Sequence, residues 1–137
     1  MQAVDNSYDD LVKHLGILIR SPQALIFEED CCALQISDVL VNMQRDPEKR
    51  LLVLSTYLSE LPNLPDPYFL EQLLIANLYW QAGATICLEP SHRALIMLHA
   101  EPMAGLTAQR LLERLNAFAA NARERRHQCA LYRPPRR

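Results

Sequence analysis

The sequence predicts an α+β fold: a twisted antiparallel sheet with helices packed on it, in the order helix, three strands, helix, two strands, helix. Three observations predict it. Apolar residues recur at helical spacing over residues 7–20, 68–82 and 107–126. Between these stretches the period shortens to that of strands, and short polar segments join the runs. The 137 residues, 50% of them hydrophobic, are enough for a single core.

The first helix is expected over 7–20, with Ser7 as N-cap and acids in the first turn, where they complement the helix dipole. Tyr8, Leu11, Leu15 and Leu18 line one face, Val12 and Ile19 widen it, and Pro22 ends the run. That is a broader apolar face than one core contact requires. Leu25-Ile26-Phe27 reads as a short strand. A second strand spans Cys32 to Met43 with a bulge at Ser37-Asp38, and a third covers Arg50 to Leu58. The stiff connection Leu61-Pro62-Asn63-Leu64-Pro65-Asp66-Pro67 follows. It delivers Asp66 as N-cap and Pro67 as the first residue of a helix running to Ala82, with Gly83 as the left-handed stop. This helix is apolar nearly all round, so it must be covered on two sides, one of them by a second subunit. Ala84–Leu88 and Ala94–His99 form the last strand pair, and Thr107 caps the closing helix, which carries Leu111, Leu115 and Phe118.

The formal charge of −2 conceals a division. Residues 1–122 carry −7, while residues 123–137 hold six Arg and one Glu. The expected organisation is one domain over 1–126 and a basic, flexible tail over 127–137. No run of 18 or more apolar residues exists, so no membrane span is expected, and the N-terminus lacks the basic start and apolar core of a signal peptide.

The usual signatures of catalysis are missing. Three glycines leave little material for a phosphate loop, and there is neither a nucleophile elbow nor a metalloprotease helix. His14, His92, His99 and His127 fall on separate elements, and the four cysteines show no zinc or disulfide spacing. Adjacent Cys31 and Cys32 should point to opposite faces of a strand, and the acids Glu28, Glu29 and Asp30 would raise a thiol pKa there. No enzyme activity, metal or cofactor is expected. The Arg-rich tail carries one aromatic residue, Tyr132, and follows an acidic body, so nucleic acid is not the expected partner.

The order of elements resembles that of the class I type III secretion chaperones, the Tir-chaperone-like family. Leu73-Leu74-Ile75-Ala76-Asn77-Leu78 is similar to the family's central-helix pattern of paired Leu followed by Asn. Gly83 to Pro90 and Ala94 to Leu98 resemble its final hairpin, and Leu106 through Ala122 its closing helix. The resemblance implies a cytoplasmic, ATP-independent bacterial homodimer that holds the N-terminal chaperone-binding segment of a secreted effector extended for delivery. The effector groove is then expected at Leu11, Leu15, Leu18, Leu25 and Phe27, and the dimer interface at Leu74, Leu78, Tyr79 and Trp80. A regulatory protein-binding adaptor on the same fold is the alternative, and the Arg-rich tail has no counterpart in the resemblance.

Overall fold

The computed structural model describes residues 3–20, 25–28, 31–78 and 84–131, and among them the chain forms three helices and one six-stranded sheet. The elements are α1 (Ala3–Leu18), β1 (Leu25–Glu28), β2 (Cys31–Ile36), β3 (Val39–Asp46), β4 (Leu51–Glu60), α2 (Pro67–Leu78), β5 (Thr85–Glu89), β6 (Ala94–Pro102) and α3 (Ala108–Leu131). Strands lie in the order β1-β2-β3-β4-β6-β5, and every neighbouring pair is antiparallel. The class and the helix order are those expected.

The expected second strand is in fact two. Ile36 faces Val39, so Ser37-Asp38 is a two-residue hairpin turn rather than a bulge. Ser37 takes φ 53°, positive as the first turn position of a type II′ hairpin requires, and the Gln35 amide donates to its carbonyl at 2.9 Å. Neither residue is glycine, which is why the turn is not announced by composition. The irregularity in the ladder lies instead in β4, between Tyr57 and Ser59, against β6.

Strand alternation places the core. Val39, Val41 and Met43 of β3 are buried while Leu40 and Gln44 are exposed, and Met43 sits between Cys32 and Leu54 across the sheet. Thr56 stands beside Met97, which faces Ile86. The Thr56 hydroxyl, buried, donates to the Leu40 carbonyl at 2.8 Å, so burying it leaves no unpaired donor. Leu111, Leu115, Phe118, Ala119 and Ala122 of α3 join this core, with α3 packed on β3 and β4 and α1 packed on α3.

The helix ends show which local signals are decisive. Thr107 caps α3 as expected, accepting from the Arg110 N–H at 3.2 Å, and Asp66 caps α2, accepting from the Tyr68 N–H at 3.0 Å. α1 begins at Ala3, so Ser7 lies inside the helix and is not its N-cap; nothing in residues 3–6 breaks a helix. Before α3 the chain reverses in a turn closed by Leu106 N–H on the Met103 carbonyl at 3.1 Å, with Gly105 at φ 72° supplying the conformation a side chain would resist. α3 then continues to Leu131, across the expected end at Arg126. The expected helix end at Ala82 and its stop at Gly83 lie outside the described residues.

Arginines stitch loops to this frame. Arg126 donates from Nε and Nη2 to the Tyr57 carbonyl, at 3.1 and 2.8 Å, and from Nη1 to the Asp38 carbonyl at 3.0 Å. Arg123 lies 3.7 Å from the Asp38 carboxylate. Arg93 donates to the Pro62 carbonyl at 2.9 Å, and its own carbonyl accepts from Leu61 N–H at 2.7 Å, which fixes the proline-rich connection to the β5–β6 turn.

Candidate protein-interaction surface

Among the described residues, α2 is the most sparsely buried of the three helices. Pro67 and Asp66 start it, and Phe69 is its one buried side chain. Leu70 and Leu73 are half-buried against the core, but Leu74 is 71% exposed, Leu78 75%, Tyr68 55% and Ile75 40%. Leu64, just before the helix, is 92% exposed. The chain therefore leaves a band of large apolar groups in water, the kind of patch that interaction sites carry. Of the four residues expected at a dimer interface, Leu74 and Leu78 sit in this band, while Tyr79 and Trp80 lie outside the described residues. Sequence spacing did not isolate Tyr68 and Ile75, because a helix apolar on all sides gives no direction to its exposed face.

On its inner side α2 meets β5 and the C-terminal half of α3. Phe69, Leu73, Ile86 and Cys129 line a small cleft with Arg125 and Gln128. The Arg125 guanidinium bonds the Gln128 side chain at 2.5 Å. The Asn77 side chain clasps the Ile86 backbone, accepting its N–H at 2.8 Å and donating to its C=O at 3.1 Å. Asn77 belongs to the central-helix pattern in the sequence, but spacing gives no sign of its bond to β5.

The expected groove residues divide. Leu11, Leu15 and Leu25 are buried in the core cluster, with Tyr8 and Val12. Leu18 is exposed, as is Ile17 at 68%, and the side chain of Phe27 is outside the described residues. Val12 and Ile19, which widen the α1 face, are core contacts, so the apolar surplus of the helix is Ile17 and Leu18 at its C-terminal end. That end closes with Arg20 at φ 57°, its N–H bonded to the Ile17 carbonyl at 3.1 Å.

The polar groups form pairs that hold the scaffold. Glu101 Oε1 bonds His99 Nε2 at 2.9 Å and lies 3.4 Å from Arg114 Nε, tying β6 to α3. In the β5–β6 turn the Ser91 hydroxyl and then the His92 backbone N–H donate to Glu89, and these bonds hold its carboxyl below the usual carboxylate range. Burial, and secondarily Cys31, pushes the Cys32 thiol up to about 11. Burial thus leads where the sequence suggested neighbouring acids, and of these Glu29 and Asp30 lie outside the described residues. Among the described residues, no three His, Cys, Asp or Glu side chains lie together as a metal site would need. No described helix is long and apolar enough to cross a membrane.

Residues 9–126 match the sequence profile of the Tir chaperone protein (CesT) family, most of the chain. The chain belongs to the Tir chaperone protein (CesT) family. Solved structures of the same shape agree with that membership. A chain of the HopA1–SchA chaperone–effector complex superposes with a TM-score of 0.71 at 19% identity, over 88% of this chain and 94% of that one. A chain of the ExsC–ExsE complex gives 0.70 at 17% identity, over 85% and 89%. The Yersinia pestis type III secretion chaperone SycH, solved with a fragment of YscM2, gives 0.65 at 16% identity, over 84% and 96%. At these identities the likeness is one of fold. No curated protein matches the sequence. The Tir chaperone family profile ends at residue 126, five residues short of the end of α3.

Proposed function

We propose that this protein is an ATP-independent chaperone of a bacterial cytoplasm, which binds the N-terminal chaperone-binding segment of a type III secreted effector and keeps it extended for delivery. It acts as a homodimer and carries out no catalytic step. Membership of the Tir chaperone family across residues 9–126 is the observation that carries this reading. Its structural relatives, solved as complexes with effectors or partner fragments, support it.

The physics of the surface is compatible with the task. An extended segment can add to a sheet edge through backbone hydrogen bonds while alternate side chains enter apolar pockets. Ordering such a segment costs several kcal/mol, so the binding surface must offer apolar area to offset it. Ile17 and Leu18, at the end of α1, are the exposed part of the groove proposed around Leu11, Leu15, Leu18, Leu25 and Phe27; the buried members shape the floor beneath. The exposed band of α2 is assigned to the second subunit.

Affinity capture on this chain from its native cytoplasm tests the reading. One secreted protein should be recovered in excess, and truncation should map its contact to the N-terminal region. Recovery of a regulator with no secretion signal would favour the adaptor instead. Release of the partner by ATP would contradict the proposed mechanism.

A further inference from the structure

A sheet edge presents backbone N–H and C=O groups with which another strand can pair, and proteins that must avoid such pairing cover or interrupt the edge. The edges here are β1 and β5. In β5, Ile86 faces Met97 of β6, and a side chain takes both of its backbone groups. Its N–H donates to Asn77 Oδ1 at 2.8 Å and its C=O accepts from Asn77 Nδ2 at 3.1 Å. Bonding alternates along an antiparallel ladder, so Ile86 is an outward-facing position of the five-residue strand, with Leu88 the next. A single primary amide therefore supplies the donor and acceptor that an arriving strand would bring. Asn77 also belongs to the last turn of α2, which places helix backbone beside the edge.

The choice of residue is chemically narrow. Asp would accept from the Ile86 N–H but could not donate to its C=O, and Leu, of similar size, could do neither. We infer that Asn77 is an edge plug: it fills an outward pairing position of β5 and denies that edge to extended polypeptide. A protein that handles extended, apolar segments has particular need of this, since an open second edge would pair with client or with another copy of itself. The purpose assigned to the plug rests on the chaperone reading. The test does not, because it uses the full chain alone.

The experiment compares the wild-type chain with Asn77→Leu and with the double variant Asn77→Leu/Leu88→Lys. Hydrogen exchange should show the Ile86 amide of Asn77→Leu opening about fivefold faster, as expected when a hydrogen bond of ordinary strength is lost. Light scattering should show Asn77→Leu in species larger than the wild type. Adding Leu88→Lys should return them to wild-type size, because a lysine on the edge opposes strand pairing. An Asn77 that merely held α2 in place would give no enlarged species for the lysine to reverse. Unchanged Ile86 exchange, wild-type size for Asn77→Leu, or enlarged species that persist in the double variant would each overturn the inference. Any of these failures would leave the chaperone reading to be decided by affinity capture.

Discussion

Cys31 and Cys32 differ by one position and by everything that governs a thiol. Strand alternation turns Cys32 fully inward, opposite Met43, while Cys31 is half-exposed on the other face. Burial first, and Cys31 second, lifts the Cys32 pKa from 9.0 to about 11, so the thiol is protonated and inert at neutral pH. The shift is also a statement about stability. In the unfolded chain the thiol ionises near 9.0, whereas in the folded chain it holds its proton until about 11. The folded state therefore binds more protons in that window. Its extra stability is complete below 9.0 and is lost as pH rises through the folded value. The loss should be on the order of 2 kcal/mol. Urea denaturation of wild type and Cys32→Ala between about pH 8 and about pH 11 checks this: the wild type should lose more stability than the variant. Parallel curves would assign the pH dependence to other groups.

At the scale of elements, α3 shows that a charge boundary need not be a structural one. The Arg-rich stretch begins at residue 123, yet the helix runs on to Leu131 and buries Cys129 at 4% exposure beside the α2 cleft. Arg123 and Arg126 reach back to Asp38 and Tyr57. A chain ending at Arg126 should thus be less stable than one ending at Leu131 by about 2 kcal/mol, mostly through loss of the Cys129 packing. Urea midpoints of the two truncated chains measure the difference, and equal midpoints would make residues 127–131 dispensable. The same helix marks what a sequence can and cannot disclose. Capping residues such as Thr107 and Asp66 were legible because each acts on backbone groups two or three residues away. The Ser37-Asp38 hairpin was not, since Ser at positive φ is tolerated only because Ile36 and Val39 are locked in pairing on either side. The anchoring role of Arg126 was not legible, because its acceptors lie 69 and 88 positions away, beyond any local pattern. The candidate site was legible in composition, as surplus apolar residues on α1 and α2. Which of them face water was settled only by packing: Leu11 and Leu15 went inward, Ile17 and Leu18 outward.

For the whole molecule the decisive quantity is what a single protomer leaves uncovered. Leu64, Tyr68, Leu74, Ile75 and Leu78 are all exposed at or just before α2. Stable interfaces remove roughly 1,200–2,000 Å² from water, about half from each partner, and concentrate apolar and aromatic groups at their centre. The −7 carried by residues 1–122 opposes indiscriminate association, so a seam that buried this band would have to be specific enough to outweigh the repulsion between like-charged bodies. On the proposed function a second copy of α2 would supply such a seam, and the wild-type chain is expected to be a dimer by light scattering at micromolar concentration. Leu78→Arg separates the seam from the fold. Leu78 is 75% exposed in the protomer, so an arginine there meets water and should leave the monomer folded, with its circular dichroism unchanged. In the dimer the same charge would be buried without a partner, at a cost of several kcal/mol, enough to weaken association by about a hundredfold or more. The expected result is a folded monomer at micromolar concentration. A dimer that survives Leu78→Arg would move the seam to another part of the surface, and a wild-type monomer would remove the dimer from the proposal.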